Sequence, residues 1–281
     1  MLRKKLFTTV LAAAMILSMA ETPYVPQAYA AERLVASSGT SKTYNVNITG
    51  KKKEKITVKA KDEYDYYIYI NGIKIKKVLG EPSEFKAYTI GGKRYLTFST
   101  AQPWENKTIF CTYSKGKLTK AYEIGIGTFG EKGIYAKISQ IKKVSGNKVY
   151  IDTFHLGDYV LGGSDITATV NVKNGKFKMA STFKVNKPLT TDDELPHLSE
   201  ERDLYATLSD AKAGTNAVET LSDCPLTINK VTTQKTKEGG SYMYLNVTTE
   251  NGVTGWIDGG DQNPDYSEEP TMLFSNMMMG D

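Results

Sequence analysis

The sequence predicts an all-β protein on three observations: short runs of alternating apolar and polar residues, turn dipeptides between these runs, and almost no helical periodicity. The clearest hairpin is YYIYINGIKIKKV (residues 66–78), where Ile68 and Ile70 share one face and the chain reverses at Asn71-Gly72. Asn-Gly tolerates the positive φ angles of a type I′ turn. Further turn signals stand at Gly91-Gly92, Lys115-Gly116, Gly146-Asn147, Asn174-Gly175 and Asn251-Gly252.

The first thirty residues have the pattern of an export signal. Three basic residues, Arg3, Lys4 and Lys5, precede an apolar run over residues 6–20, and Ala28-Tyr29-Ala30 follows as a small-residue cleavage site. No later segment approaches the ~20 apolar residues that a membrane helix needs. We therefore expect a secreted, extracellular protein without a membrane span, which begins with a polar leader over residues 31–43.

Charge and cysteine content exclude some classes of partner. The chain has 36 basic and 31 acidic residues; the signal takes three basic residues and one acidic residue, which leaves 33 against 30. This balance is too mild to predict nucleic-acid binding, although it suits loose association with an anionic cell wall. Cys111 and Cys224 are expected to be two unpaired thiols, while an oxidising compartment would permit a bridge between them.

The segment over residues 44–185 is predicted to be one β-rich domain. Residues 93–121 and residues 147–180 resemble each other, because both run strand, loop, strand and tight turn. This weak repeat is compatible with a sandwich, with a partial propeller-like stack, or with two hairpins that share the same turn chemistry. The acidic, polar stretch over residues 186–203 is predicted to be a linker.

Strands resume over residues 204–260, a length that suits a small barrel. A tail over residues 261–281 is acidic and then apolar. We expect its Leu273, Phe274 and methionines 277–279 to pack back on a domain, with an adaptable contact surface as the alternative.

The stretches YATLSDAKAGTNAVETLSDCPLTINKV (residues 205–231) and SYMYLNVTTENGVTGWIDG (residues 241–259) resemble a bacterial SH3-like (SH3b) domain. Tyr244 stands where the family has Trp or Tyr, and Gly255-Trp256-Ile257 resembles its closing motif. The sequence departs from the family at Asp223-Cys224-Pro225, where the family commonly turns on a glycine. The resemblance implies a small SH3-like β-barrel.

Four aromatic residues of this region are the candidate ligand-binding residues: Tyr205, Tyr242, Tyr244 and Trp256. Aromatic rings in a groove stack on sugar faces or hold short peptides. The glycine at position 255 would let the chain approach its neighbour closely, so that Trp256 covers one end of the barrel. The alternative is that Trp256 is a core lid and that the tyrosines serve only as strand formers.

A weaker resemblance concerns NITGKKKEKITVK (residues 47–59), which looks like the start of exported FG-GAP or VCBS-type repeats. Those repeats bind calcium through a loop rich in aspartate. Here Asn47 replaces the leading aspartate, lysines occupy the centre, and Glu54 is the one acidic residue. Calcium requires several oxygen ligands, mostly carboxylates, so we predict no metal site here.

The predicted function is that of a non-enzymatic exported protein whose SH3-like domain recognises peptidoglycan or another cell-wall component, either polymer or peptide. No cofactor, metal or nucleic acid is predicted, and a protein partner is left open. One alternative is an extracellular hydrolase that the SH3-like domain targets to the cell wall. Its site would centre on Asp152 and His155, near Asp158 and Ser164, although no Gly-x-Ser-x-Gly motif supports it. Another is a purely structural SH3-like domain in a protein–protein interaction module.

Overall fold

The computed structural model describes residues 41–101, 106–237, 240–261 and 272–280, with the backbone alone at residues 137 and 138. All of them fall within one compact unit over residues 37–281. The predicted signal peptide and residues 31–40 of the predicted leader lie outside them. The described part is all-β, as predicted, with antiparallel pairing throughout. None of its helices is long and apolar enough to span a membrane.

The first sheet, sheet A, is a four-stranded meander in chain order. Asn71 (φ 51°) and Gly72 (φ 83°) reverse the chain between its last two strands, which confirms the predicted positive φ angles of this hairpin. Ile68 and Ile70 are buried on one face, whereas Tyr67 and Tyr69 lie on the other. The strands are β1 (Ser41–Val46), β2 (Glu54–Ala60), β3 (Asp65–Ile70) and β4 (Ile73–Leu79).

Sheet B is a second four-stranded meander that packs against sheet A. The Phe85 ring lies between the rings of Tyr44 and Phe98, with centroid distances of 4.9 and 5.1 Å. Aromatic side chains thus fill the space between the two sheets. The strands of sheet B are β5 (Glu81–Ile90), β6 (Lys93–Ala101), β7 (Asn106–Ser114) and β8 (Lys117–Ile124).

Sheet C has ten strands in the described part of the chain. They are β9 (Ala136–Ser145), β10 (Lys148–His155), β11 (Ser164–Lys173), β12 (Lys176–Met179), β13 (Thr182–Pro188), β14 (Arg202–Tyr205), β15 (Ala217–Leu221), β16 (Leu226–Lys235), β17 (Ser241–Thr249) and β18 (Thr254–Asp261). The spatial order is β15-β14-β18-β17-β16-β13-β11-β10-β9, and β12 pairs with β11. Two short helices, α1 (Ile126–Gly130) and α2 (Leu208–Ala213), complete the fold.

Phe177 on β12 joins sheet B to sheet C. Its ring stacks on Tyr122 at 4.9 Å and lies 5.2 Å from the rings of both Tyr95 and Phe110. A large contiguous core of buried residues extends from this contact through sheet C. The predicted repeat corresponds to two three-stranded meanders, β6-β7-β8 and β10-β11-β12, and both turn on a pair of residues with positive φ, Lys115-Gly116 and Asn174-Gly175.

The region over residues 204–260 continues a sheet that starts earlier in the chain. Its strands β14 to β18 lie side by side, and β16 pairs with β13 through Thr182–Thr232 and Phe183–Val231. Among the described strands no pairing joins β15 to β16. The predicted linker over residues 186–203 contains the end of β13, a 3-10 turn at Thr191–Asp193 and the fully buried Leu198.

Residues 272–280 of the tail pack back on sheet C. Phe274 is fully buried, and Leu273 and Met277 are buried, which confirms the prediction for these three residues. Met278 and Met279 are 41% and 44% exposed. Isolated bridges join the segment to the predicted linker at Thr190–Met277 and Leu198–Phe274. On its other side, the amide of Gly163 donates to the Met278 carbonyl and that of Gly280 to the Leu156 carbonyl.

Candidate binding site

The four predicted aromatic residues lie on three adjacent strands. Tyr205 ends β14, Tyr242 and Tyr244 lie on β17, and Trp256 lies on β18 between them, where it pairs with Tyr205. Tyr205 and Tyr244 are buried in a small cluster against which Tyr242 and Trp256 pack. The rings of Tyr242 and Tyr244 are 5.2 Å apart. We call these four residues the aromatic cluster.

Helix α2 covers part of the aromatic cluster through Ala211 and Leu208. The helix begins where the Thr207 hydroxyl accepts a hydrogen bond from the Asp210 amide. It ends at Gly214, whose φ of 64° lies in the left-handed region that favours glycine. The cluster therefore lies outside the main core, between the face of the sheet and a short helix.

Gly255 makes the close approach that the sequence predicts. A β-carbon at this position would lie 2.7 Å from the backbone oxygen of Tyr205 and 2.8 Å from the side chain of Leu204. Real Cβ atoms do not come this close to a backbone oxygen, so β18 can lie against β14 in this way only with a glycine there. The absence of a side chain at Gly255 thus helps to set Trp256 beside Tyr205.

A cleft of about 350 Å³ opens beside the aromatic cluster. Tyr205 and Tyr242 line this cleft, whereas Tyr244 and Trp256 belong to the cluster but are not among the lining residues. The remaining lining residues are Glu201, Arg202, Asp203, Thr220, Asp258 and Gly260. Sequence reasoning missed these polar residues. The available signal was strand alternation, since Asp203 and Asp258 each stand two residues from a predicted aromatic residue and so share its face.

Hydrogen bonds fix the two aspartates of the cleft. The Tyr242 hydroxyl donates to Asp258 Oδ2 (2.8 Å), and the Gly260 amide donates to Asp258 Oδ1 (2.9 Å). The Thr220 hydroxyl donates to Asp203 Oδ1 at 2.7 Å. Three carboxylates and one guanidinium line the cleft, so it offers mainly hydrogen-bond acceptors beside tyrosine rings. This arrangement suits a ligand that carries hydroxyl, amide or amine donors.

The tyrosines of the cluster have raised pKa values. Burial is the largest cause for Tyr205, Tyr242 and Tyr244, and the neighbouring carboxylates add to it. The shift is greatest at Tyr242, because its hydroxyl donates to Asp258 and an ionised phenolate would repel that carboxylate. The phenols therefore stay neutral and remain donors at pH values where a free tyrosine would ionise.

This pKa shift predicts how stability depends on pH. A phenol with a raised folded pKa keeps its proton after the unfolded chain has lost its own, so stability falls as pH rises above 10, the ordinary tyrosine value. We expect the midpoint of thermal unfolding to fall as the pH rises above about 10, and to fall less in Tyr242→Phe, which has no phenol to ionise at this position. Equal falls in both proteins would contradict the assignment.

His155, the candidate of the hydrolase alternative, is fully buried. Its Nε2 lies 3.0 Å from Asp158 Oδ2, and its Nδ1 lies 3.2 Å from the carbonyl oxygen of Tyr135. Asp158 also accepts the amides of Val160 and Leu161. This geometry describes a histidine that holds together a buried turn.

Asp152 and Ser164, which the hydrolase alternative places near His155, lie elsewhere or are buried. Asp152 lies on the opposite face of β10 from His155, where Lys142 and the Thr167 hydroxyl contact its carboxylate. Ser164 pairs with His155 across β10 and β11, but it is fully buried and its hydroxyl donates to the Leu161 carbonyl. The structure therefore does not bring Asp152 and His155 to one accessible site.

Both cysteines are unpaired in the structure. Cys111 is buried in sheet B, and burial raises the pKa of its thiol to about 11. Cys224 is partly buried beside the core of sheet C, and burial raises its pKa as well. Thiols with raised pKa values are poor nucleophiles near neutral pH.

The stretch that resembles a calcium loop folds as a turn. The buried Glu54 carboxylate accepts the Ile48 amide and the Thr49 hydroxyl, each at 2.7 Å, while Asn47 Oδ1 accepts the Gly50 amide. Burial acts to raise the pKa of Glu54, but these hydrogen bonds outweigh it and lower the pKa. Nowhere in the described ranges do three or more His, Cys, Asp or Glu residues gather closely enough to hold a metal ion.

Comparison with known proteins gives a structural similarity and no family. No protein-family model matches the chain. No curated protein matches it either. Among solved structures, a subtype N11 neuraminidase-like protein of A/flat-faced bat/Peru/033/2010 (H18N11) is similar at a TM-score of 0.30 and 10% identity, and the match covers 76% of this chain and 71% of that one.

Proposed function

We propose that this protein is an exported, non-enzymatic binding protein that holds a cell-wall ligand, polymer or peptide, in the cleft beside the aromatic cluster. The observation that supports this proposal is that Tyr205 and Tyr242 line the same cleft, of about 350 Å³, as the carboxylates of Asp203 and Asp258. Rings provide flat apolar surface for sugars and peptides, while the carboxylates accept their hydroxyl and amide hydrogens.

The residues around the cleft also support an SH3-like role for strands β14 to β18. The Gly255-Trp256-Ile257 motif crosses the centre of this group of strands, and the four candidate residues come from the segments that resemble the family. Under this proposal the module is built into sheet C through β13 and does not stand as a separate domain. We therefore test the whole protein and not a fragment.

The test is co-sedimentation of the purified protein with Gram-positive peptidoglycan from which phosphate-linked polymers have been removed. Tyr242→Ala removes a ring that lines the cleft and should raise the dissociation constant at least tenfold, in line with the ~2 kcal/mol or more that a central aromatic residue contributes to binding. Asp258→Asn, which keeps the size of the side chain but removes its charge, should weaken binding as well.

The matched control is Tyr135→Ala, which removes an aromatic ring that is 47% exposed and far from the cleft in the strand order. It should bind like the unchanged protein. Circular dichroism of each variant separates loss of binding from loss of fold. If the unchanged protein does not sediment, or if all variants sediment equally, the proposal is wrong and the aromatic cluster is structural.

A further inference from the structure

The positive charge of this protein is concentrated in sheet A. Residues 41–80 contain ten lysines and four acidic residues, a balance of +6, whereas the whole chain has a net charge of +5. The rest of the chain is therefore close to neutral. Such asymmetry along a sequence indicates a partner of the opposite charge.

The pairing of the strands brings several of these lysines to one face of sheet A. Lys59 on β2 is opposite Tyr67 on β3, and Tyr69 is opposite Lys74 on β4. The alternate residues, such as Val58 and Ile68, are buried on the other face. Lys55, Lys59, Lys74 and the two tyrosines therefore share the outer face, which we call the lysine face.

Two tyrosine rings hold lysine ammonium groups on the lysine face. Lys74 Nζ lies 3.3 Å from the centroid of the Tyr67 ring, and Lys59 Nζ lies 5.1 Å from that of Tyr69. Each lysine reaches diagonally across its neighbouring strand. A cation over an aromatic face is attracted by the ring and loses freedom. These two charges are thus held in place on the sheet, as preorganised binding requires.

Acidic neighbours do not neutralise this face. Within the described residues, no carboxylate forms a salt bridge with Lys55, Lys59 or Lys74, whereas Lys77, at the end of the face, is paired with Asp65. The exposed lysines 51–53 continue the positive charge beyond the start of β2. Lys55, Lys59 and Lys74 on the sheet, together with lysines 51–53 in the adjoining turn, thus form a region of positive charge.

We propose that the lysine face binds a linear phosphate-bearing polymer that carries no nucleobases. Lys55 and Lys59 are four residues apart on one strand, roughly 13 Å, and Lys74 lies two strands away, roughly 10 Å. A single anion does not span this area, whereas successive groups of a polymer do. The face offers ammonium groups and no guanidinium, and a lysine acts as a compact point charge that suits phosphate oxygens without the paired geometry of an arginine fork.

This site is separate from the cleft and does not rest on the proposed cell-wall function. The probe is long-chain inorganic polyphosphate, and its affinity for the whole protein is measured between about 50 and 200 mM salt. The test variant is Lys55→Gln/Lys59→Gln/Lys74→Gln. Its control is Lys117→Gln/Lys143→Gln/Lys235→Gln, which removes three exposed lysines from β8, β9 and β16 and changes the net charge equally.

We expect the test variant to lose at least tenfold in affinity and to show a weaker salt dependence, by roughly 0.7 per lysine in the slope of log affinity against log salt. The control should stay within about twofold of the unchanged protein, since diffuse charge alone contributes little. Tyr67→Leu/Tyr69→Leu keeps every charge but frees the ammonium groups, so it should weaken binding several-fold.

Three results would overturn the proposal. If the two triple variants lost the same affinity for polyphosphate, net charge alone would explain the binding. If the protein bound poly-glutamate as tightly as polyphosphate, the face would not select phosphate groups. Tighter binding of vesicles that contain phosphatidylglycerol, or of a single-stranded oligonucleotide of equal charge, would reassign the face to a membrane or to nucleic acid.

Discussion

Replacing Phe274 with alanine is expected to destabilise the protein by roughly 3–5 kcal/mol, because the ring is fully buried and its removal leaves a cavity in the core of sheet C. The midpoint of thermal unfolding should fall by roughly 10 °C for a unit of this size. Phe274 also bridges to Leu198, so the loss should loosen residues 186–203. Calorimetry, with proteolysis of that segment, measures both effects.

The control for this prediction is Met279→Ala, two residues past the isolated bridge between Thr190 and Met277. The Met279 side chain is 44% exposed, so its removal should change the midpoint by no more than about 2 °C. If Phe274→Ala were as mild as Met279→Ala, residues 272–280 would not be part of the core, and the tail would be a surface attachment.

Gly255→Ala is expected to cost about 1–3 kcal/mol, although it adds a single methyl group. The new carbon would meet the Tyr205 backbone oxygen at 2.7 Å, so either β14 or β18 must move. Because the displaced atoms carry Tyr205 and Trp256, binding in the cleft should weaken together with stability. Thermal unfolding and the co-sedimentation assay report the two effects on the same preparation.

Gly127→Ala provides the same chemical change at a site where no atom lies within 4 Å of the added carbon. Gly127 lies in helix α1, where alanine is the better helix former, so this variant should be neutral or slightly more stable. If the two variants behaved alike, the close approach of β18 to β14 would not limit stability, and the role assigned to Gly255 would be wrong.

Local chemistry made several features of this fold predictable. Asn71-Gly72, Lys115-Gly116 and Asn174-Gly175 all turn with positive φ at both residues, because these residue types tolerate left-handed backbone. At Asn251-Gly252 only the glycine has a positive φ, and the loop is longer, with the Gly252 amide donating to the Thr249 carbonyl. Turn dipeptides thus predicted the position of each reversal better than its geometry.

The remaining features depend on contacts between distant parts of the chain. Nothing near Thr182 indicates that β13 pairs with β16, so the predicted separation of two domains could not anticipate a continuous sheet. Leu198 stands in an acidic stretch, and its burial depends on Phe274, far along the chain. Alternation indicated which side of each strand faces a core, but not which strand lies beside it.

Among candidate-site residues, the aromatic ones were predictable and the acidic ones were not. Tyr205, Tyr242, Tyr244 and Trp256 stand out as large residues in short strands, and the structure brings them together. Asp203 and Asp258 look like ordinary surface residues until the order β14-β18-β17 sets them around one cleft. A cleft is a property of the arrangement of strands, which local sequence does not specify.

The packing of residues 272–280 bears on the order in which the parts of the protein fold. These residues contact segments about eighty positions earlier in the chain, through Asn276 with His197 and Leu195. During synthesis the strands of sheet C, the last of which ends at Asp261, emerge before the segment that completes their core. Until it arrives, Leu198 and its neighbours lack their apolar partner, and such exposed surface attracts other chains. The core of sheet C is therefore complete only when residues 272–280 are present, and a chain that lacks them exposes apolar surface that favours aggregation.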